Sequence, residues 1–141
     1  MAQQKAKGPQ SRAPLKWGEG AKNLTASRHH ECLTMPYVKM GCWNVRTLNQ
    51  KGKLENAKRE MERYGLSVLG LSEVRWKKVG DIVSGDVRVI YSGGDKCEKG
   101  VAVMLNKEWA NRVIAVEQKN DRLMWIKLNN EPRNIVIVQA Y

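Results

Sequence analysis

The chain has 141 residues, the length of one domain, and 42% of them are apolar, enough for a modest core. Lys and Arg number 25 against 14 acids, a formal net charge of +11 that favours polyanionic partners, nucleic acid ahead of acidic membranes. No run approaches the ~20 apolar residues of a membrane span, the opening MAQQKAKGPQSRAP has no apolar leader, and Cys32, Cys42 and Cys97 form no Cys-x-x-Cys pair, so a disulfide framework and a zinc site are disfavoured and nucleus or cytoplasm is expected rather than secretion.

Residues 1–37 mix Gln, Lys, Pro, Gly and Ser without sustained periodicity. Lys5, Lys7, Arg12, Lys16, Lys22 and Arg28 face only Glu19 and Glu31, which reads as a flexible basic arm. His29 and His30 lie in this arm with no other ligand type at metal spacing, and are read as a surface pair.

The ordered part, 38–141, opens with VKMGCWNV, a strand. KLENAKREMERY then places Leu54, Ala57, Met61 and Tyr64 three and four residues apart, the stripe of an amphipathic helix stopped by Gly65. SVLGLS follows as a short strand apolar on both faces. Beyond Glu73 the runs VRVIYS, GVAVML, NRVIAVEQ, RLMWIKL and NIVIVQA are strand-like, and SGGDKCEKG and QKND separate some of them as turns. The predicted class is α+β: one βαβ unit, then mainly antiparallel strands.

A strand, helix and strand in this order form a parallel pair, so both strands end at one edge of the sheet. Asn44 ends the first strand and Glu73 ends the second, bringing an amide and a carboxylate together. A carboxylate beside an apolar strand is costly unless it is solvated, paired or bound to metal. Mg²⁺ uses one or two carboxylates with phosphate oxygens and water, and Glu73 suits that role. An ion pair from Glu73 to Arg75 or Lys77 is the plainer alternative. Trp43, Arg46, Arg75, Trp76, Lys77 and Lys78 surround the pair with cations and aromatic rings that could contact a nucleic-acid backbone. Trp43 is placed mainly in the core. No phosphate loop or nucleophile elbow occurs, and both histidines precede the fold.

GCWNVRTL at 41–48 and LGLSEVRW at 69–76, with GVAVML and IVQAY behind them, resemble the opening of the endonuclease/exonuclease/phosphatase superfamily, and in particular the endonuclease domain of non-LTR retrotransposons. The resemblance spans 38–141. It implies a partial DNase I-like sandwich and Mg²⁺- or Mn²⁺-dependent hydrolysis of a nucleic-acid phosphodiester, DNA ahead of RNA. It assigns Glu73 to the metal, Asn44 to ordering the metal and phosphate network, and Tyr141 to the scissile phosphate. Arg46 stands where some relatives carry an Asp, which removes a second acidic contact.

The family's second half-domain carries an Asp-x-Asn pair and a Ser-Asp-His, and neither motif occurs in these 141 residues. The chain is therefore expected to be a truncated domain, inactive or weakly active alone. About one sheet and one helix are expected. One face of NIVIVQA should then stay wet, inviting self-association or a covering partner. A non-enzymatic DNA- or RNA-binding protein and an unstable decayed fragment are the alternatives.

Overall fold

Alternating apolar residues and turn-forming glycines divide the described residues, 37–141 of the computed structural model, into eight strands and two helices. The expected basic arm, with His29 and His30, lies outside the described residues except for Tyr37. The order begins with β1 (Met40–Asn44), α1 (Lys53–Arg63) and β2 (Val68–Ser72). β1 and β2 are parallel, with Asn44 opposite Ser72. They form the predicted βαβ unit.

In α1, Ala57 and Met61 are buried and Leu54 packs beside them, as the spacing requires. Gly65 adopts φ 60°, a left-handed conformation that costs glycine little. Its N–H donates to the Glu62 carbonyl while Leu66 N–H reaches back to Met61, the paired bonds of a Schellman stop. Tyr64, counted in the apolar stripe, instead sits at the C-cap and is mainly exposed, with the Arg63 guanidinium over its ring.

Three strands complete the first sheet: β3 (Val79–Ser84), β4 (Val87–Ser92) and β5 (Val101–Asn106). The order is β1-β2-β5-β4-β3, antiparallel beyond β2. β3 was missed in the sequence because Gly80 and Asp81 interrupt its apolar residues. Asp81 is accommodated at this edge by a two-pronged pair with Arg88, at 2.6 and 2.9 Å.

The expectation of a single sheet is overturned. Asn106 ends β5 and accepts a hydrogen bond from Trp109 N at 3.0 Å, capping the one-turn helix α2 (Lys107–Ala110). That turn carries the chain out of the first sheet. β6 (Val113–Asn120), β7 (Leu123–Leu128) and β8 (Ile135–Ala140) then form a separate antiparallel sheet.

The alternation of β5 explains how two cores share one strand. Ala102 and Met104 join Ala57, Met61, Leu69 and Leu71 beneath α1. Val101, Val103 and Leu105 meet Met124, Ile126 and Leu128 of the second sheet, with Trp109 buried among them. The Gln139 side chain of β8 reaches in over Gly70 of β2, where a Cβ would force that amide to shift. Ile135 and Ile137 face this inter-sheet core. Val136 and Val138 remain 55% and 61% exposed on the outer side. The wet face exists, but it is the outside of a second sheet and not the inside of a lone one.

Candidate active site

The parallel register of β1 and β2 delivers Asn44 and Glu73 to the same edge. Asn44 Nδ2 donates to Glu73 Oε1 at 2.8 Å. Tyr141, directly after β8, brings its hydroxyl to the same oxygen at 3.0 Å from the other sheet. Arg75 completes the cluster: its Nη2 donates to Glu73 Oε2 at 2.9 Å. The ion pair weighed against metal binding is thus present, and it is with Arg75 rather than Lys77.

The backbone is bent to make this arrangement. Glu73 has φ 55° and Arg75 has φ 56°, both left-handed values that side chains other than glycine adopt at a cost of about 1–3 kcal/mol each. Between them Val74 is fully buried. Val74 N–H donates to the Gly100 carbonyl, Arg75 N–H donates to the Lys99 carbonyl, and the Val74 carbonyl accepts from Leu48 N–H. The buried valine and these three bonds hold the bend, which turns both flanking side chains toward the rim. Arg46, at φ 52°, donates its N–H to Asn44 Oδ1 at 3.1 Å and so fixes which end of the Asn44 amide faces Glu73.

The electrostatics follow from the donors. Hydrogen bonds from Asn44, Arg75 and Tyr141 hold the Glu73 carboxyl below the usual carboxylate range, although partial burial opposes them. The Tyr141 hydroxyl is pushed up, because its proton bridges to that carboxylate. At neutral pH Glu73 is therefore charged and Tyr141 carries its proton.

The expected nucleic-acid contacts divide. Arg46, Lys77 and Lys78 are exposed, and Arg75 is half-buried against Glu73. Trp76 is not free to stack on a base from its present position. It packs against the first core and meets Tyr91 edge-on at 4.8 Å. Trp43, expected in the core, is instead 42% exposed, because β1 is an edge strand.

Two further cations, not singled out by any sequence pattern, stand at the same rim. Arg122 accepts Tyr141 N–H on its carbonyl at 2.9 Å, and its charge bears on the Tyr141 hydroxyl. Lys99 accepts Arg75 N–H and pairs loosely with Asp121 at 3.9 Å. Only the pairing of β6 with β7, and the loop before β5, bring them there.

Among the described residues, no three His, Cys, Asp or Glu side chains gather where they could share a metal ion. Glu73 offers one carboxylate. That donor set suits Mg²⁺ or Mn²⁺ where phosphate oxygens and water fill most of the shell. Among the described residues no helix is long and apolar enough to cross a membrane.

No protein-family model matches the chain. It is 35% identical over 132 residues to craniofacial development protein 2 of Bos taurus, covering 92% of the chain and 22% of that protein. It is 36% identical over 103 residues to craniofacial development protein 2 of Tragulus javanicus, covering 72% of the chain and 18% of that protein. The chain thus spans about a fifth of the length of these relatives. Among solved structures it matches the AP endonuclease LMAP from Leishmania major with a TM-score of 0.57 and 14% identity, over 74% of this chain and 40% of that one. The fold is therefore α+β and corresponds to part of the DNase I-like AP endonuclease architecture, as the sequence predicted. By sequence the chain is similar to these craniofacial development protein 2 relatives, and by fold to part of that AP endonuclease.

Proposed function

We propose that 38–141 forms the glutamate–tyrosine half of a metal-dependent phosphodiesterase site for nucleic acid, DNA ahead of RNA, and that the 141 residues alone bind nucleic acid but cleave it little. The observation that carries the reading is the convergence of Asn44, Arg75 and Tyr141 on the two oxygens of Glu73. Three donors, two of them from different sheets, favour the ionised form of one half-buried rim carboxylate, on a backbone bent at the residues on either side of Val74. Strained backbone and perturbed titrations of this kind cluster at functional sites, which supports the reading.

In this reading Glu73 holds Mg²⁺ or Mn²⁺, which when bound supplies Lewis-acid stabilisation of charge on the phosphate. Asn44 orients the carboxylate through Nδ2, and Arg46 fixes the Asn44 amide. The Tyr141 hydroxyl, whose one proton bridges to Glu73 Oε1, would turn from that oxygen to donate to a phosphate oxygen. Arg46, Arg75, Lys77, Lys78, Lys99 and Arg122 supply positive charge for the flanking backbone. The resemblance assigns activation of water to an Asp-x-Asn and further phosphate stabilisation to a Ser-Asp-His, and the 141 residues contain neither. Each such group typically contributes ~10²-fold or more in rate, so little cleavage is expected without them. The blocks GCWNVRTL and LGLSEVRW support descent from a retrotransposon endonuclease, and a DNA substrate would place the protein in the nucleus.

A binding protein with no use for metal is the second reading, favoured by the Arg75–Glu73 ion pair. Equilibrium binding of a short DNA duplex, measured with Mg²⁺ and with chelator, separates the two. Binding strengthened by Mg²⁺ in the native chain but not in Glu73→Gln supports the half-site. Equal binding in all four conditions supports the second reading.

A further inference from the structure

We propose that Arg75 is a resident counter-ion that keeps divalent metal off Glu73 until a phosphate draws its guanidinium away. The inference rests on the metal-site reading of Glu73 and adds a rule for when that site opens.

Each carboxylate oxygen accepts about two hydrogen bonds. Oε1 already has two donors, Asn44 Nδ2 at 2.8 Å and the Tyr141 hydroxyl at 3.0 Å. A cation must therefore approach through Oε2, where Arg75 Nη2 sits at 2.9 Å. The guanidinium cannot release its charge by losing a proton. An ion arriving beside it would face a fixed positive neighbour in a site with one carboxylate. Among the described residues no cluster of acids gathers to offset the charge, and residue 46 is Arg, with its N–H toward Asn44.

The backbone cannot relieve the competition. Residues 73–75 are held by the bonds to Gly100, Lys99 and Leu48 and by the buried Val74. The Arg75 side chain is free of those backbone restraints, and at 42% exposure it has solvent to move into. It also has a reason to move. Its Nε is shielded from water and has no hydrogen-bond partner, an unfavourable state for a charged donor. A phosphate offers two oxygens to the planar edge of a guanidinium. An arriving phosphodiester would satisfy that nitrogen and compete for Nη2, freeing Oε2. Metal and phosphate would then bind cooperatively, each raising the affinity for the other by the same factor.

The test is calorimetric titration of the full 141-residue chain with Mn²⁺, alone and with a saturating dinucleotide phosphodiester, after subtraction of Mn²⁺ binding to the dinucleotide itself. The native chain should bind Mn²⁺ weakly alone and about tenfold or more tightly with the dinucleotide, the scale on which residues supporting a ligand alter metal affinity. Arg75→Ala should bind at the tighter level without dinucleotide, and adding Glu73→Gln should abolish the gain. A folded Arg75→Ala that binds Mn²⁺ no better than the native chain overturns the proposal. If Glu73→Gln still abolishes the binding that remains, the metal-site reading survives that failure. Mn²⁺ binding indifferent to Glu73→Gln overturns both. Should Arg75→Ala fail to fold, the dinucleotide arm decides, and an unchanged Mn²⁺ affinity in the native chain is the contrary result.

Discussion

The hydroxyl of Tyr141 donates to Glu73 Oε1 at 3.0 Å, across 68 positions of sequence and from one sheet to the other. The bond explains why the two titrations are coupled. The carboxylate favours the protonated phenol, which raises the folded pKa of Tyr141. The phenol favours the ionised acid, which helps lower that of Glu73. In an ultraviolet pH titration, Tyr141 should ionise above the ordinary tyrosine value, and Glu73→Gln should bring it down. For a group with a depressed folded pKa, the stabilisation is present above the unfolded carboxylate value and lost as pH falls through the folded one. The melting temperature of the native chain should therefore fall on acidification over that window, and Glu73→Gln should flatten the fall.

The packing of the two sheets depends on Trp109 of α2, which is buried in the core that they share. Trp109→Ala should cost about 3–5 kcal/mol in urea unfolding, the usual loss for a large buried aromatic. Asn106→Ala removes only the cap of α2 and should cost about 1 kcal/mol. A cooperative transition in the native chain would also dismiss the unstable-fragment alternative.

Lys77 and Lys78 are exposed on a loop tied to 93–94, where the Lys78 carbonyl accepts Gly93 N–H and its own N–H reaches the Gly94 carbonyl. If they contact backbone phosphates, Lys77→Ala and Lys78→Ala should each weaken DNA binding uniformly across sequences. Each should reduce the slope of log affinity against log salt by about one. Fluorescence anisotropy over a range of salt reads both quantities.

Much of this site was legible because it depends on local patterns. The helix stripe and Gly65 defined α1, and a strand–helix–strand order is enough to put Asn44 beside Glu73. The role proposed for Tyr141 rests on resemblance, since nothing in IVQAY shows that β8 belongs to a second sheet packed on the first. What stayed hidden depends on distant partners. Asp81 breaks the strand pattern of β3 but is paired with Arg88. A single cap at Asn106 separates the sheets. Lys99 and Arg122 acquire their place only when hairpin and loop meet the rim. Trp43 and Trp76 exchanged roles because edge position, not hydrophobicity, decides which ring is open.

The outer side of the second sheet exposes Val136 and Val138 on its edge strand β8. Exposed apolar edges of this kind promote association between chains. Sedimentation velocity should show a concentration-dependent shift to larger species. Val138→Lys should suppress it while leaving the melting transition cooperative, because Val138 faces away from the inter-sheet core.

The central claim, that these residues form half of a phosphodiesterase site, is tested most directly by nicking of supercoiled plasmid. The purified 141-residue chain would be assayed with Mg²⁺ and with chelator, beside Glu73→Gln. The account predicts no nicking above background in any arm, from protein that melts cooperatively and binds the plasmid. Nicking that requires both Mg²⁺ and Glu73 would contradict it, and would mean that the Glu73 cluster suffices for cleavage or is completed when chains associate.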